Sequence, residues 1–545
     1  MISKTPTLDL TPAGLHLDVA RGTPLQEILF AQGVEFPCGG HGRCRGCRVR
    51  VRGGSLPVTG EEERLLTPAE LADGWRLACR HEVADDLRLE LAQWEMPVLG
   101  DASTFAFTPR EGQGVAVDLG TTTLVAQLVD LRTGDVLAVR SALNAQARHG
   151  ADVMSRIEFA LQGGQAELNK LIRDQIGELI GQLVAPGRKG EAQSIDSQQN
   201  HGRDGRATPD GEQMWHGRPA HVPGLFKDGE ASGRSAQPLA RVVLVGNTVM
   251  HHLFCGLSVA SLARHPFESP QLDRWRFAPG ELGWKLPAAT VVEFLPCLGG
   301  FVGSDILAGI VATGLHESPE LAALIDLGTN GEIVVGSRER LLCTSTAAGP
   351  AFEGARISMG MRAAPGAIGE VRVEQGAIVC RTLGGGAPRG LCGSGLVDAV
   401  AAGLELGRIA ASGRMTAGAS LPLAGTVSLS QGDVRELQLA KGAIAAGLRL
   451  LAARLGASLQ DIRRVHLAGA FGNYVSRASA RRIGLLHFPV ERIVASGNTA
   501  LHGARRALFE EPAAWESIRR RVEHVALNED PRFQDVYAGE MRFPE

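Results

Sequence analysis

Four cysteines in the first eighty residues, Cys38, Cys44, Cys47 and Cys79, follow the pattern C-x5-C-x2-C-x31-C. Thiolates gathered in this way hold metal. Zinc sites usually combine two C-x2–4-C knuckles, whereas here a single C-x2-C is followed by one distant cysteine. A [2Fe–2S] centre uses C-x4-C-x2-C and then a remote cysteine, and this loop is one residue longer. The loop, CGGHGRCRGC, carries four glycines. A sulfide-bridged cluster accumulates negative charge, and glycine lets backbone N–H groups approach the sulfurs in conformations other residues avoid. His41, Arg43 and Arg45 add positive charge that favours the reduced cluster, or form a docking rim for an electron donor. The reading is a [2Fe–2S] cluster on Cys38, Cys44, Cys47 and Cys79, with structural zinc as the alternative.

A second set of residues suits phosphate chemistry. VAVDLGTTTLVAQLVD breaks an apolar run at Asp118, Leu119, Gly120, Thr121, Thr122 and Thr123. A strand, a tight turn and a second strand make a hairpin whose tip offers N–H groups and hydroxyls to phosphate. ALIDLGTNGEIVV repeats the pattern about two hundred residues later with Asp326, Gly328, Thr329, Asn330, Gly331 and Glu332. One copy could be an ordinary hairpin; two copies in apolar runs suggest a duplication that places two tips across a cleft. Asp118 and Asp326 would orient Mg²⁺ or the attacking water, with Glu332 as a weaker candidate and turn-capping as the plain alternative for Asp326. No G-x-x-x-x-G-K-[ST] occurs, which excludes a P-loop nucleotide site. RRVHLAGAFGNYVS brings a strand into Gly469 and Gly472, a loop expected to pass close to a flat adenosine.

The elements that must carry these residues can be read around them. LHLDVARGTPLQEILFAQGVEF predicts strand, turn and helix with Pro24 near its start, RVRVRGG alternates as a strand, and Cys79 precedes a last strand in LACRHEVADDLRLEL. The cysteine spacing resembles that of adrenodoxin-like ferredoxins, which implies a β-grasp domain over 1–91. Residues 92–112 read as a linker. The duplicated hairpins with the glycine segment resemble the superfamily of acetate and sugar kinases, heat-shock chaperones and actin. That resemblance implies an ATP site between two ribonuclease-H-like lobes, over 113–186 and 239–545. The expected fold class is therefore a multidomain α+β and α/β chain. Between the ATPase parts, residues 187–238 are polar and glycine-rich and cannot bury a core. They read as a disordered insertion or as a partner-binding tail using Trp215 and Phe226.

Further segments narrow the resemblance: NAQARHGADVMSRI, VVLVGNTVMHHLFCGL, STAAGPAFEGARISMGMRAAPGAI, GLCGSGLVDAV and LQLAKGAIAAG. With a ferredoxin domain in front, the chain resembles the reductive activators of corrinoid proteins along nearly its whole length. That family restores Co(I) from inactive Co(II), using ATP and a reduced iron–sulfur cluster. The resemblance implies a corrinoid methyl-carrier protein as partner and a low-potential electron donor, and leaves a homodimer open. A plant-type cluster sits near about −400 mV, above the Co(II)/Co(I) couple. A gap of roughly 100–200 mV corresponds to about 2–5 kcal/mol, which differential binding on closure of a two-lobed ATPase can supply. The rivals are an ATP-driven activator of another low-potential metalloenzyme, a small-molecule kinase fused to a redox sensor, and a ferredoxin carrier whose ATPase-like part only recognises a partner.

The bulk properties fit. The 545 residues allow two to four domains, and a net charge of −3 gives no reason to expect nucleic acid. Neither a secretory signal nor an apolar run long enough for a membrane span is visible, so the cytoplasm is the expected location. Cys255, Cys297, Cys343, Cys380 and Cys392 lack ligand spacing and read as small buried residues. His251 and His252 lie in an apolar helical run and read as structural rather than as cobalt ligands. Ser394, in GLCGSG, is expected at a helix cap.

Overall fold

The computed structural model describes residues 5–11, 14–32, 34, 36, 40–43, 45–91, 104–150, 152–185, 237–328, 330–354 and 356–545. Cys38, Cys44, Thr329 and nearly all of the insertion expected over 187–238, with Trp215 and Phe226, lie outside these residues.

The N-terminal region builds one sheet from β1 (Thr7–Thr11), β2 (Leu15–Asp18), β3 (Arg48–Gly53), β4 (Trp75–Leu77) and β5 (Leu87–Leu91), in the order β2-β1-β5-β3-β4. Strand alternation places Leu8, Leu10, Val49 and Leu89 inside, where they meet Leu25 and Leu29 of the helix Leu25–Ala31. Pro24 is the N-cap of that helix, and its fixed φ suits a helix entry. This is the β-grasp arrangement expected from the sequence.

The first large sheet comprises β6 (Gln113–Leu119), β7 (Thr123–Asp130), β8 (Val136–Leu143), β9 (Leu239–Gly246), β10 (Trp275–Phe277) and β11 (Val291–Phe294). Its order is β10-β11-β9-β6-β7-β8. β6, β7 and β8 form an antiparallel meander, and β9 runs parallel to β6. The second large sheet repeats the plan with β12 (Ala322–Leu327), β13 (Gly331–Gly336) and β14 (Leu341–Thr346) as the meander. Two smaller sheets decorate this part of the chain: β16-β15-β17 (β15 Ala367–Glu374, β16 Ala377–Thr382, β17 Gly390–Leu391) and the pair β18 (Ser420–Ala424) and β19 (Val427–Ser430). β20 (Arg464–Ala468) then lies parallel to β12, followed by β21 (Ile493–Gly497), and β22 (Val522–His524) closes the far edge.

Each lobe has its own apolar core. In the first, the helix Gln165–Val184 buries Leu168, Ile172, Ile176, Leu179, Ile180 and Leu183, a helical stripe whose larger side chains contribute about 1.5–3 kcal/mol apiece when fully buried. A further core spans both lobes. It joins Ala116, Val125 and Val243 of the first sheet to Leu324, Val334 and Leu341 of the second through the helices Ser304–Thr313 and Thr499–Ala507. Within the expected linker, Phe105 and Phe107 pack onto Phe509, the latter with ring centroids 4.4 Å apart.

The ferredoxin-like sheet is not isolated from the lobes. Leu143 and Ala147 join its core, and the Arg148 guanidinium lies 5.0 Å from the Phe30 ring centre. From the second lobe, Arg389 donates to the Leu91 carbonyl at 2.9 Å and pairs with Glu90.

Candidate functional site

The cysteine site is legible from the two ligand candidates within the described residues. Cys47 is buried just before β3, and Cys79 sits half-buried in the turn Ala78–Arg80 after β4. β3 and β4 pair, and the Ala78 N–H donates to the Cys47 carbonyl at 3.1 Å, so sheet register brings the two thiols to one end. Gly40 has φ +81°, and a Cβ there would collide with the Gln26 side chain, so the loop needs glycine at this point. A thiolate donor set wrapped by such a loop fits an iron–sulfur cluster.

Two acidic residues missed in the sequence shape the site. Glu62 is fully buried and accepts from His81 (2.8 Å), from the Leu77 N–H (2.6 Å) and from the Thr59 N–H (2.9 Å). Burial pushes its carboxyl up, but these donors outweigh that effect and hold it below the usual range. It thereby fixes the segment bearing Cys79. Its signal was the helix-start pattern from Thr59 to Glu62. Glu70 pairs with Arg45 and Arg48, so of the three cations expected beside the cluster Arg45 is neutralised while His41 and Arg43 are exposed.

The two hairpins occupy equivalent places. Asp118 and Asp326 are each the penultimate residue of the first strand of their meander. The turns close through Gly120 N–H to the Thr123 carbonyl (3.2 Å) and Gly328 N–H to the Asn330 carbonyl (3.1 Å). The first turn is held from behind. Asn144 donates through its side chain to the Gly120 carbonyl (2.9 Å) and through its backbone to the Thr122 carbonyl (2.8 Å). Arg156 donates to the Thr121 carbonyl, and Asn247 to the Thr121 hydroxyl (2.9 Å). Thr121 is therefore engaged through its side chain, while the Gly120 N–H is spent within the turn and the N–H groups of Thr121 and Thr122 have no acceptor among the described residues.

A second asparagine completes the frame. Asn498, N-cap of the helix Thr499–Ala507, accepts from the Leu501 N–H and donates to Asp118 Oδ2 at 2.9 Å, tying the second lobe to the first. Asn247 caps Thr248–Cys255 in the same way. The signal for Asn498 was present as a repeat: Gly246-Asn247-Thr248 and Gly497-Asn498-Thr499.

Four carboxyl groups share the cleft between the hairpins. Burial pushes Asp118 up to about 6, and burial together with Asp118 pushes Asp326 up to about 7. Asp305, in the first turn of Ser304–Thr313, is pushed up to about 8 by burial and then by Asp326 and Asp118. Buried Glu332, opposite Asp326 in the β12–β13 register, is raised well above its ordinary value by burial, Asp305 and Asp326. Mutual repulsion of this kind calls for a cation. Among the described residues no three His, Cys, Asp or Glu side chains converge as a ready metal cage, so a hard cation here would need phosphate or water oxygens in its shell.

The glycine segment departs from expectation. β20 enters it, but Gly469–Tyr474 is a short helix rather than a loop. Gly469 has φ +81°, and a Cβ there would lie 2.6 Å from Asp326 Oδ1, which places it at the acidic end of the cleft. A Cβ on Gly472 would come within 3.0 Å of Leu467 in the preceding strand β20. Phe471 stacks on Phe352 with centroids 4.6 Å apart.

The bland readings fare well. His251 and His252 are buried; His251 contacts the Asp273 carbonyl, His252 contacts Ser269 and the Thr248 carbonyl, and burial pushes His251 down to about 3. Cys255, Cys297, Cys343 and Cys392 are buried, and Cys380 is half-buried. Ser394 does not cap its helix: Cys392 is the N-cap, and the Ser394 hydroxyl donates to the Gly369 carbonyl at 2.9 Å.

Three family profiles cover this arrangement. Residues 8–84 match the 2Fe-2S iron-sulfur cluster binding domain, 113–197 and 227–318 match the RACo middle region, and 320–545 match the C-terminal domain of RACo, the ASKHA domain. The corrinoid activation enzyme RamQ of Eubacterium limosum is 34% identical over 78% of this chain and 69% of its own. The chain belongs to the reductive activators of corrinoid proteins. A second relative of these activators, the [Co(II) methylated amine-specific corrinoid protein] reductase of Methanosarcina barkeri, is 25% identical over 79% of this chain and 77% of its own. A solved reductive activator for a corrinoid, iron–sulfur protein aligns over 99% of this chain and 98% of its own, with TM-score 0.63 and 26% identity. This activator joins a [2Fe–2S] ferredoxin domain to an ASKHA ATPase domain.

Proposed function

We propose that this activator uses ATP to drive one electron from its [2Fe–2S] centre to Co(II) of a corrinoid methyl-carrier protein, regenerating Co(I) for methyl transfer. The observation that carries the reading is the joining of the two machines. The segment 143–148 holds the ATPase hairpin through Asn144 and touches the ferredoxin-like sheet through Leu143, Ala147 and Arg148.

Cys38, Cys44, Cys47 and Cys79 would ligate the cluster, which supplies single low-potential electrons taken from a separate donor protein. Exposed His41 and Arg43 suit a rim for that donor or for the carrier. At the nucleotide, the turns Gly120 to Thr123 and Gly328 to Gly331 would contact the phosphates, the first through the N–H groups of Thr121 and Thr122, with Thr329 and Asn330 adding polar side chains. Asp118 and Asp326 would orient Mg²⁺ through water and phosphate oxygens, with the Asp305 carboxyl acting on both. Asp326, with Glu332 as the weaker candidate, would turn a water toward the terminal phosphate. Gly469 keeps the chain close to Asp326, and Gly472 supports the wall behind it.

Closure of the lobes on ATP gives a surface with a different affinity for the carrier, and hydrolysis to ADP and phosphate reverses it. The free energy of that difference raises the occupancy of the electron-accepting state of cobalt. ATP turnover measured with and without a Co(II) corrinoid carrier tests this. Turnover should rise severalfold on adding the carrier; turnover indifferent to every carrier tried would instead support the ferredoxin carrier with a recognition-only ATPase fold.

A further inference from the structure

Beneath the first hairpin lies a cation without a counter-ion among the described residues. Arg156, on the helix Val153–Phe159, is fully buried. Its guanidinium donates to the Gly150 carbonyl (2.9 Å), to Gln146 Oε1 (3.3 Å), to Met250 Sδ (3.4 Å) and to the Thr121 carbonyl (2.5 Å). All four acceptors are neutral. Among the described residues Asp152 is the one anion that acts on it, without reaching ion-pair distance, and its carboxylate accepts from the Ser155 N–H and hydroxyl of its own helix. Burial pulls the Arg156 guanidinium down to about 9, which leaves it charged at neutral pH. A buried charge without a partner is strongly unfavourable, so its retention calls for a reason.

The peptide it holds gives that reason. In a trans peptide the C=O and N–H point opposite ways. Arg156 draws the Thr121 carbonyl inward, so the Thr122 N–H points outward; Asn144 does the same to the Gly120 carbonyl, so the Thr121 N–H points outward. Among the described residues neither of these N–H groups has an acceptor. Two outward donors backed by a buried positive charge make a seat for an anion.

We propose that Arg156 is a positioning residue of the phosphate site, holding the Thr121–Thr122 peptide with its N–H toward the cleft and finding its counter-ion only when a polyphosphate occupies the hairpin. The inference rests on the nucleotide reading of that hairpin. Its consequence is selective: the charge at position 156 sets affinity for the phosphates and leaves affinity for adenosine alone.

Calorimetric titration of the full chain with Mg-ATP and, separately, with adenosine tests this in wild type, Arg156→Gln and Arg156→Lys. Arg156→Gln should weaken Mg-ATP by about tenfold to a hundredfold, the range for losing a charge-assisted interaction, with adenosine unchanged. Arg156→Lys keeps the charge and loses the fork, so it should recover most of the Mg-ATP affinity. Weakening of both ligands alike in both variants would mark a merely structural role and overturn the proposal, as would an unchanged ratio in Arg156→Gln. Should Arg156→Gln fail to fold, inorganic pyrophosphate decides: it should raise the melting temperature of wild type and Arg156→Lys, and a shift equally present with adenosine alone would overturn the proposal. Wild type that binds neither Mg-ATP nor pyrophosphate would instead remove the nucleotide reading itself.

Discussion

The two ATPase lobes share the order of five strands, β11-β9-β6-β7-β8 and β21-β20-β12-β13-β14, and differ in the charge behind their hairpins. In the first, the carbonyls of Gly120, Thr121 and Thr122 are each held from outside the turn, and a buried arginine lies underneath. In the second, Asp326 and Glu332 face each other across β12 and β13, and Gly469 closes on Asp326. Duplication kept the topology, and the two copies divided the electrostatics. On the function proposed above, the first lobe would receive an anion beside Asp118, and the second would hold a cation or a water against it. ATP with a divalent cation would satisfy both at once and give a closed state a reason to form only with nucleotide present.

The largest expected effect comes from removing the acid of the second lobe. Asp326→Asn should lower steady-state ATP turnover by about a hundredfold or more, the range for loss of a positioned acid or base, with the cluster spectrum intact. Asp118→Asn should cost less, because the new amide oxygen can still accept from Asn498. Equal losses in the two variants would break the division between lobes.

Gly469→Ala comes next. The added Cβ meets Asp326 and forces a positive φ on alanine, a strain of about 1–3 kcal/mol. Turnover should fall about tenfold, and the melting temperature should drop with it. Asn144→Ala, on the first lobe, removes the side-chain hydrogen bond to the Gly120 carbonyl, along with those to Met250 Sδ and from the Gln146 N–H, and keeps the backbone one. It should cost about 1 kcal/mol, read as a Kd for Mg-ATP about fivefold weaker with kcat little changed.

The smallest effect is a pH slope. The cleft aspartates have folded-state values of about 6, 7 and 8 for Asp118, Asp326 and Asp305, against about 4 in an unfolded chain. Between those limits the folded protein binds protons that the unfolded chain has released, so stability falls as pH rises from about 4 toward about 8. Thermal melts in EDTA should show this decline, and Asp326→Asn should flatten it more than Asp118→Asn.

Much of this was readable from the sequence because it is encoded locally. Both DLGT hairpins announce themselves as apolar runs broken by a turn, and the C-x2-C loop precedes a clean alternating strand. What escaped was made by tertiary contact. Asp305 gains its role only when the helix Ser304–Thr313 points its first turn between the hairpins. Arg45 is paired with Glu70 of the short helix Pro68–Ala72, which no spacing rule connects to it. The helix at Gly469–Tyr474 has Ala468 as N-cap and no side-chain cap, so it carried no start signal, and packing of Phe471 on Phe352 accounts for its place. Asn498 was legible in principle through the repeated Gly-Asn-Thr, which only the first copy brought to notice.

The most direct test joins the two machines. The protein, purified anaerobically with its cluster reduced, is mixed with a Co(II) corrinoid methyl carrier, and the visible spectrum is followed with and without Mg-ATP, with Cys44→Ser as the cluster control. The account expects the Co(I) band to grow only with Mg-ATP and only in the protein with an intact cluster. Co(I) formed equally well without nucleotide, or none with intact cluster and ATP turnover, would contradict it.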